Sequence, residues 1–411
     1  MINFDKFTLN NGLKVIVHQD TSTQLVSMNI LYNVGARVED PNKTGFAHLF
    51  EHLMFGGSVN IPSYDEPLQR AGGDNNAFTS NDMTDYYLTL PANNIETGFW
   101  LESDRMLNLA FSPKSLDVQR SVVIEEFNQR YLNQPFGDVY LLLRPLAYKV
   151  HPYSWSTIGK EISHIQNATL DDVKAFFKQY YCPDNAILVV AGNITTDEVK
   201  RLCDKWFAPI PKGNVIHKDL PQEPIQEEAR TLEVTRKVPC DAIYKAYHCC
   251  SRLDKEYYAT ELLCDILSRG QSSRLYISLV KEQKLFSQIN CYTTGDLDKG
   301  MVIVEGKINK GVTMEDAEAG IVNELDKLIA NGISDDELTK VKNKLESTLL
   351  FGEMNIADRA LNLAVWELLG NADNINHEID YFFAVTKEDI IKEARNIFRA
   401  TNCSTLYYRK K

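Results

Sequence analysis

The sequence predicts an α+β protein built as two tandem homologous domains. Three observations lead there. The hydrophobic period switches between strand and helix along the chain, a proline-rich stretch interrupts it near the middle, and a helix–turn–strand unit recurs at half the chain length. The 411 residues suit two or three domains at roughly 100–200 residues each. With 44% hydrophobic and 24% charged residues, each has the apolar material for a core.

The elements follow in order. "FTLNNGLKVIV" alternates polar and apolar residues around Asn11-Gly12, a hairpin dipeptide, and "QLVSMNILYNVGA" reads as a further strand. From Thr44 to Phe55 the period changes. Phe46, Leu49, Phe50, Leu53 and Met54 recur at helical spacing, and Gly56-Gly57 ends that helix. "AFTSNDMTDYYLTLP" returns to strand character, and residues 95–110 and 112–132 read as helices. A helix over 169–181 and the strand "NAILVVAGNI" close the first half. "APIPKGNVIHKDLPQEPIQEE" then carries four prolines and few large apolar residues, as linkers do. The predicted division is therefore 1–208, a linker over 209–227, and 228–411. "TLDDVKAFFKQYYCPDNAILVV" starts at Thr169 and "TKEDIIKEARNIFRATNCSTLYY" at Thr386. The offset, 386 − 169 = 217, is the repeat that makes the halves copies of one domain.

The formal net charge of −12 argues against a nucleic-acid footprint, which needs a basic surface. No stretch of about 18 apolar residues offers a membrane span, and the N-terminus shows no signal-peptide pattern. The eight cysteines form no CxxC pair, so a thiolate metal site is not expected. Scattered, reduced cysteines suit a cytoplasmic protein.

One stretch carries chemistry. "GFAHLFEHLMFGG" places His48 and His52 four apart, on one face of a helix. Two imidazoles suit zinc, whose catalytic sites take three protein ligands and leave one position open. Glu51 sits between them, able to reach a water at the metal without ligating the ion, and to serve as general base. The order H-x-x-E-H inverts the commoner H-E-x-x-H. The third ligand must come from elsewhere. "DVQRSVVIEEFNQRYL" offers Glu125 and Glu126, which point about 100° apart on a helix. Spacing alone does not choose between them.

Together, "GFAHLFEHLMFGG", "GGDNNAFTSNDMTDYY" and "QRSVVIEEFNQR" resemble the inverted-motif zinc peptidases of the pitrilysin, insulysin and mitochondrial processing peptidase family, closest to its bacterial members of this length. The resemblance covers nearly the whole chain. It implies two related domains, each a mainly antiparallel sheet packed with helices, with one zinc per chain in the first. It makes Glu126 the third ligand beside His48 and His52, and Glu51 the catalytic base. It also makes Asn76, Ala77 and Phe78 an exposed sheet edge that substrate extends as an added strand. The implied activity is endopeptidase hydrolysis of peptides or unfolded segments. The alternative is a non-catalytic assembly subunit of a peptidase-like complex.

Two departures stand out. The family usually has a glutamate seven residues before the last ligand, where this chain has Gln119, so no carboxylate supports the site from there. In many relatives the second domain supplies an arginine and a tyrosine that grip substrate. Aligned through Ser272, Ser273, Arg274, Leu275, Leu279 and Leu285, those positions hold Val280 and Ser287. A valine cannot donate to a developing oxyanion. The expected assembly is a dimer: either a heterodimer whose related partner supplies both groups, or a self-sufficient homodimer with a different substrate grip.

Overall fold

The computed structural model describes residues 1–215 and 219–411. Of the predicted linker, residues 216–218 lie outside the described residues. The chain folds as two compact units, each drawn from both halves of the sequence. One comprises Met1–Gln129, Trp155–Leu220 and Leu350–His377; the other comprises Arg130–Ser154, Pro221–Leu349 and Glu378–Lys411.

The first unit holds a six-stranded sheet of β1 (Asp5–Thr8), β2 (Lys14–Gln19), β3 (Leu25–Tyr32), β4 (Asp74–Thr79), β5 (Thr84–Pro91) and β6 (Ala186–Gly192), in the order β1-β2-β6-β3-β5-β4. Only β2 and β6 run parallel. β6 (AILVVAG) is buried along its whole length, as a central strand covered on both faces must be. The stretch of strand character up to Pro91 is a hairpin, β4 and β5, turning through residues 80–83.

The second unit repeats the plan with β7 (Arg230–Arg236), β8 (Ala242–His248), β9 (Phe286–Thr293), β10 (Met301–Ile308) and β11 (Cys403–Lys410), in the order β7-β11-β8-β10-β9. Again one pair, β7 and β11, is parallel. The repeat spacing persists in the strands: β5 and β10 begin 301 − 84 = 217 residues apart, and β6 and β11 begin 403 − 186 = 217 apart. The two units are thus copies of one mixed α+β domain with mainly antiparallel sheets.

The repeat extends to individual side chains. The helices Leu170–Tyr180 and Lys387–Ile397 each open on a capping box, Thr169 with Asp172 and Thr386 with Asp389. After each helix an asparagine amide ties off the turn. Asn185 Nδ2 donates to the carbonyls of Tyr180 and Asn33, and Asn402 Nδ2 donates to those of Ile397 and His248.

One pair of helices is exchanged between the halves. Ile356–Leu368, late in the sequence, belongs to the first unit and packs on β3 and β6. It buries Ile356, Ala360, Leu363 and Ala364. It is pinned by Glu367 to Lys6 and Lys14, and by Arg359 to Asp20. Val139–Ala147, from the first half, packs in the second unit against β8 and β11 with Val139, Leu143 and Ala147 buried. Their starts are 356 − 139 = 217 residues apart, so they are equivalent elements in swapped positions. The division at 209–227 therefore separates the sheets but not the helices. Within that stretch, the Ile210 carbonyl accepts from Asn11 in the first unit. Glu223, in the second, accepts the backbone N–H groups of Lys149, Val150 and His151.

Candidate metal centre

The HxxEH segment forms the helix Phe46–Leu53. Its apolar stripe of Phe46, Ala47, Leu49, Phe50 and Leu53 is buried. Phe50 stacks on Phe176 and Tyr181, with ring centroids 5.1 Å away in both cases. This aromatic bed fixes the helix rotation and leaves His48, Glu51 and His52 half-buried on the other side.

The second helix, Pro113–Phe127, starts where Ser112 caps it, its side chain accepting from the Ser115 N–H. A π-helical turn, Asn128–Leu132, continues it. It packs against the HxxEH helix, and the two adjacent glutamates separate as helical geometry requires. Glu126 faces the histidines: its Oε2 lies 3.7 Å from His48 Nε2 and 3.3 Å from His52 Nε2. Glu125 is exposed and accepts from Gln129 Nε2 at 2.9 Å. Gln119 lies half-buried on the same helix.

One ligand atom from each of His48, His52 and Glu126 lies within 4.8 Å of the other two, the only such cluster of three or more His, Cys, Asp or Glu among the described residues. Donors 2.0–2.1 Å from a tetrahedral ion stand about 3.4 Å apart. Two imidazoles and a carboxylate fit zinc in chemistry, and the Glu126 separations of 3.7 and 3.3 Å from the two histidines lie close to that spacing.

Thr79 and Glu39 hold the helix from outside it. Thr79, the last residue of β4, donates its hydroxyl to Glu51 Oε2 at 2.6 Å. This contact sets the direction of the Glu51 carboxylate. At the other end of the helix, Glu39 accepts the backbone N–H groups of Gly45 and Ala47, and the Trp155 indole donates to it. Burial pushes the Glu39 carboxyl up to about 8, against the pull of those hydrogen bonds. Neither Thr79 nor Glu39 carried a sequence signal. Both act through loop or strand geometry, not through a period.

Asn76, Ala77 and Phe78 fall on β4, which pairs only with β5 and is the open edge of its sheet. β4 also packs against the HxxEH helix. The Ala77 N–H donates to the Asn76 side-chain carbonyl at 2.8 Å. In the second unit the helix Tyr257–Ser268 stands where a metal helix would be and carries no histidine. Val280 packs against the apolar core of that unit. Ser287 is exposed on β9, its hydroxyl donating to the Lys307 carbonyl. All eight cysteines are unbonded, and no helix among the described residues is long and apolar enough to cross a membrane.

Two tandem copies of one α+β domain, with a His-His-Glu cluster in the first alone among the described residues, are the plan of a peptidase family, and the family models agree. Residues 14–157 match the insulinase model (peptidase family M16) and residues 167–345 the M16 inactive-domain model. The chain belongs to the M16 peptidase family. It is 30% identical to the zinc protease PqqE of Helicobacter pylori, over 98% of this chain and 92% of that protein. The crystal structure of a protease from Helicobacter pylori superposes with a TM-score of 0.94 at 29% identity, covering 100% of both chains. The probable mitochondrial-processing peptidase subunit beta of Arabidopsis thaliana is 24% identical over 84% of this chain and 66% of its own length.

Proposed function

We propose that the chain is a zinc-dependent endopeptidase acting on peptides or unfolded segments. The observation that carries the reading is the convergence of His48, His52 and Glu126 from two helices. Zinc held there would polarise a substrate carbonyl and acidify a water at its open position. Glu51, whose Oε2 accepts from the Thr79 hydroxyl, would be the general base for a water in the site and would return the proton to the leaving amine. Substrate extends the β4 edge as an added strand; a substrate carbonyl replaces Asn76 Oδ1 as acceptor of the Ala77 N–H. The eight unbonded cysteines support a reducing compartment, in keeping with a cytoplasmic location.

A second reading has its own observation. Val280 is packed into a core and Ser287 is tied to a backbone carbonyl, so neither supplies the donors that many relatives use. This favours divided labour, with a related partner subunit contributing the arginine and tyrosine. A purely structural subunit is the limiting case.

The test has three parts. Zinc content should be about one per chain, and a chelator should abolish peptide cleavage. Glu51→Gln should retain zinc and lose turnover; normal cleavage by that variant would overturn the mechanism. Activity of the chain alone at full rate would refute divided labour, and activity only on mixing with a co-purified relative would support it.

A further inference from the structure

We infer that Glu39 is a positioning residue for the metal helix, supplying from outside the helix the N-terminal cap that Gly45 cannot. The inference rests on the zinc reading above.

A helix leaves its first N–H groups without internal partners, and a polar side chain at the N-cap normally accepts one of them. The N-cap here is Gly45, in the left-handed region at φ 88° with no side chain to offer. No other residue fits easily, because a Cβ there would lie 2.7 Å from the Ile158 carbonyl oxygen. The capping acceptor therefore comes from six residues upstream. Glu39 Oε2 accepts from the Gly45 N–H at 2.9 Å, and Oε1 from the Ala47 N–H at 2.8 Å. The Trp155 indole donates to Oε2 at 3.2 Å and to the Ala36 carbonyl at 3.0 Å, tying the carboxyl to the loop that carries it. Glu39 is 6% exposed. Compare the helices opened by Thr169 and Thr386, which carry their own caps.

The placement matters because His48 is the third residue of the helix, in the turn that frays first. Its imidazole can meet His52 and Glu126 only while that turn is wound. Both carboxyl oxygens are used as acceptors, and an amide has only one. Glutamine is therefore a near-isosteric probe that turns a donor toward one of the two N–H groups.

The experiment compares full-length Glu39→Gln and Glu39→Ala with the parent. Hydrogen exchange over residues 45–54 of the metal-free chain should speed by about tenfold, with the rest of the first unit unchanged. Zinc affinity, read by competition with a chromophoric chelator, should fall by about tenfold, and the visible spectrum of the cobalt-substituted site should change. In peptide cleavage kcat should fall with KM unchanged. Unchanged local exchange with a lowered melting temperature would overturn the inference, making Glu39 a general stability residue. The exchange arm needs no metal. If the parent bound no zinc, the zinc reading would fall and the exchange result would still decide whether Glu39 holds the helix.

Discussion

The first unit buries a complete ion pair, and its removal gives a sharp test of the packing. Arg105 and Glu102 are 2% and 1% exposed. The guanidinium makes two bonds to the carboxylate, Nε to Oε2 at 2.8 Å and Nη2 to Oε1 at 2.7 Å. It lies 4.5 Å from the ring centroids of both Tyr64 and Tyr86, and the Tyr64 hydroxyl donates to Glu102 Oε1. Burial alone would lower the Arg105 pKa, yet the Glu102 charge raises it overall, so the guanidinium stays charged. Glu102→Leu strands a charge among aromatic rings, and such losses cost about 3–5 kcal/mol. That is a large share of a typical total of about 5–15 kcal/mol. Glu102→Leu with Arg105→Met and Tyr64→Phe removes every stranded group, so its cost should fall to about 1 kcal/mol. All four tryptophans, Trp100, Trp155, Trp206 and Trp366, lie in the first unit. Urea unfolding followed by intrinsic fluorescence therefore reads that unit. Single substitutions costing under about 1 kcal/mol, or additive costs across the set, would refute the reasoning.

Two further outcomes follow from named contacts. Thr79→Val keeps the shape of the β4 end and removes the donor to Glu51. Turnover should drop about tenfold, the equivalent of one hydrogen bond to a charged group, with zinc content unchanged; normal kcat would show that Thr79 does not orient the base. Asp85 is fully buried, and desolvation lifts its pKa from 3.8 to about 8 against the hydrogen bond from Asn29. The unfolded chain thus releases this proton near pH 4 and the folded chain near pH 8. Stability from this group is complete below the unfolded value and is lost as pH rises toward 8, with a slope of at most about 1.4 kcal/mol per pH unit. Asp85→Asn preserves the acceptor for Asn29 and should flatten the urea-midpoint profile across that window; an unchanged slope would exclude Asp85 as its source.

The parts of the fold with a period were legible. The helix Phe46–Leu53 follows from its apolar spacing, and the repeat at 169 and 386 reappears as matching capping boxes and matching strand orders. The strand character of the stretch up to Pro91 was legible, and its folding back as β4 and β5 turns on Ser80, Asn81 and Asp82, residues that favour turns. The choice between Glu125 and Glu126 was open to spacing alone. It depends on how one helix rolls against another, and here Glu126 is the one that faces the histidines. Glu39 and Thr79 were invisible for a related reason. A carboxyl that caps a helix from a preceding loop has no fixed offset, and neither does a hydroxyl that reaches across from a sheet edge. The helix exchange was hidden too, since an amphipathic stripe says that a helix is covered and not by which sheet.

That exchange has a consequence for biosynthesis. The first sheet is fully translated once Gly192 is made, but the helix that covers β3 and β6 begins at Ile356. More than a third of the chain must still leave the ribosome before that apolar face is sealed. At roughly 5–20 residues per second the nascent first half spends many seconds with an uncovered sheet. It is then a natural client for whatever shields exposed apolar surface during synthesis.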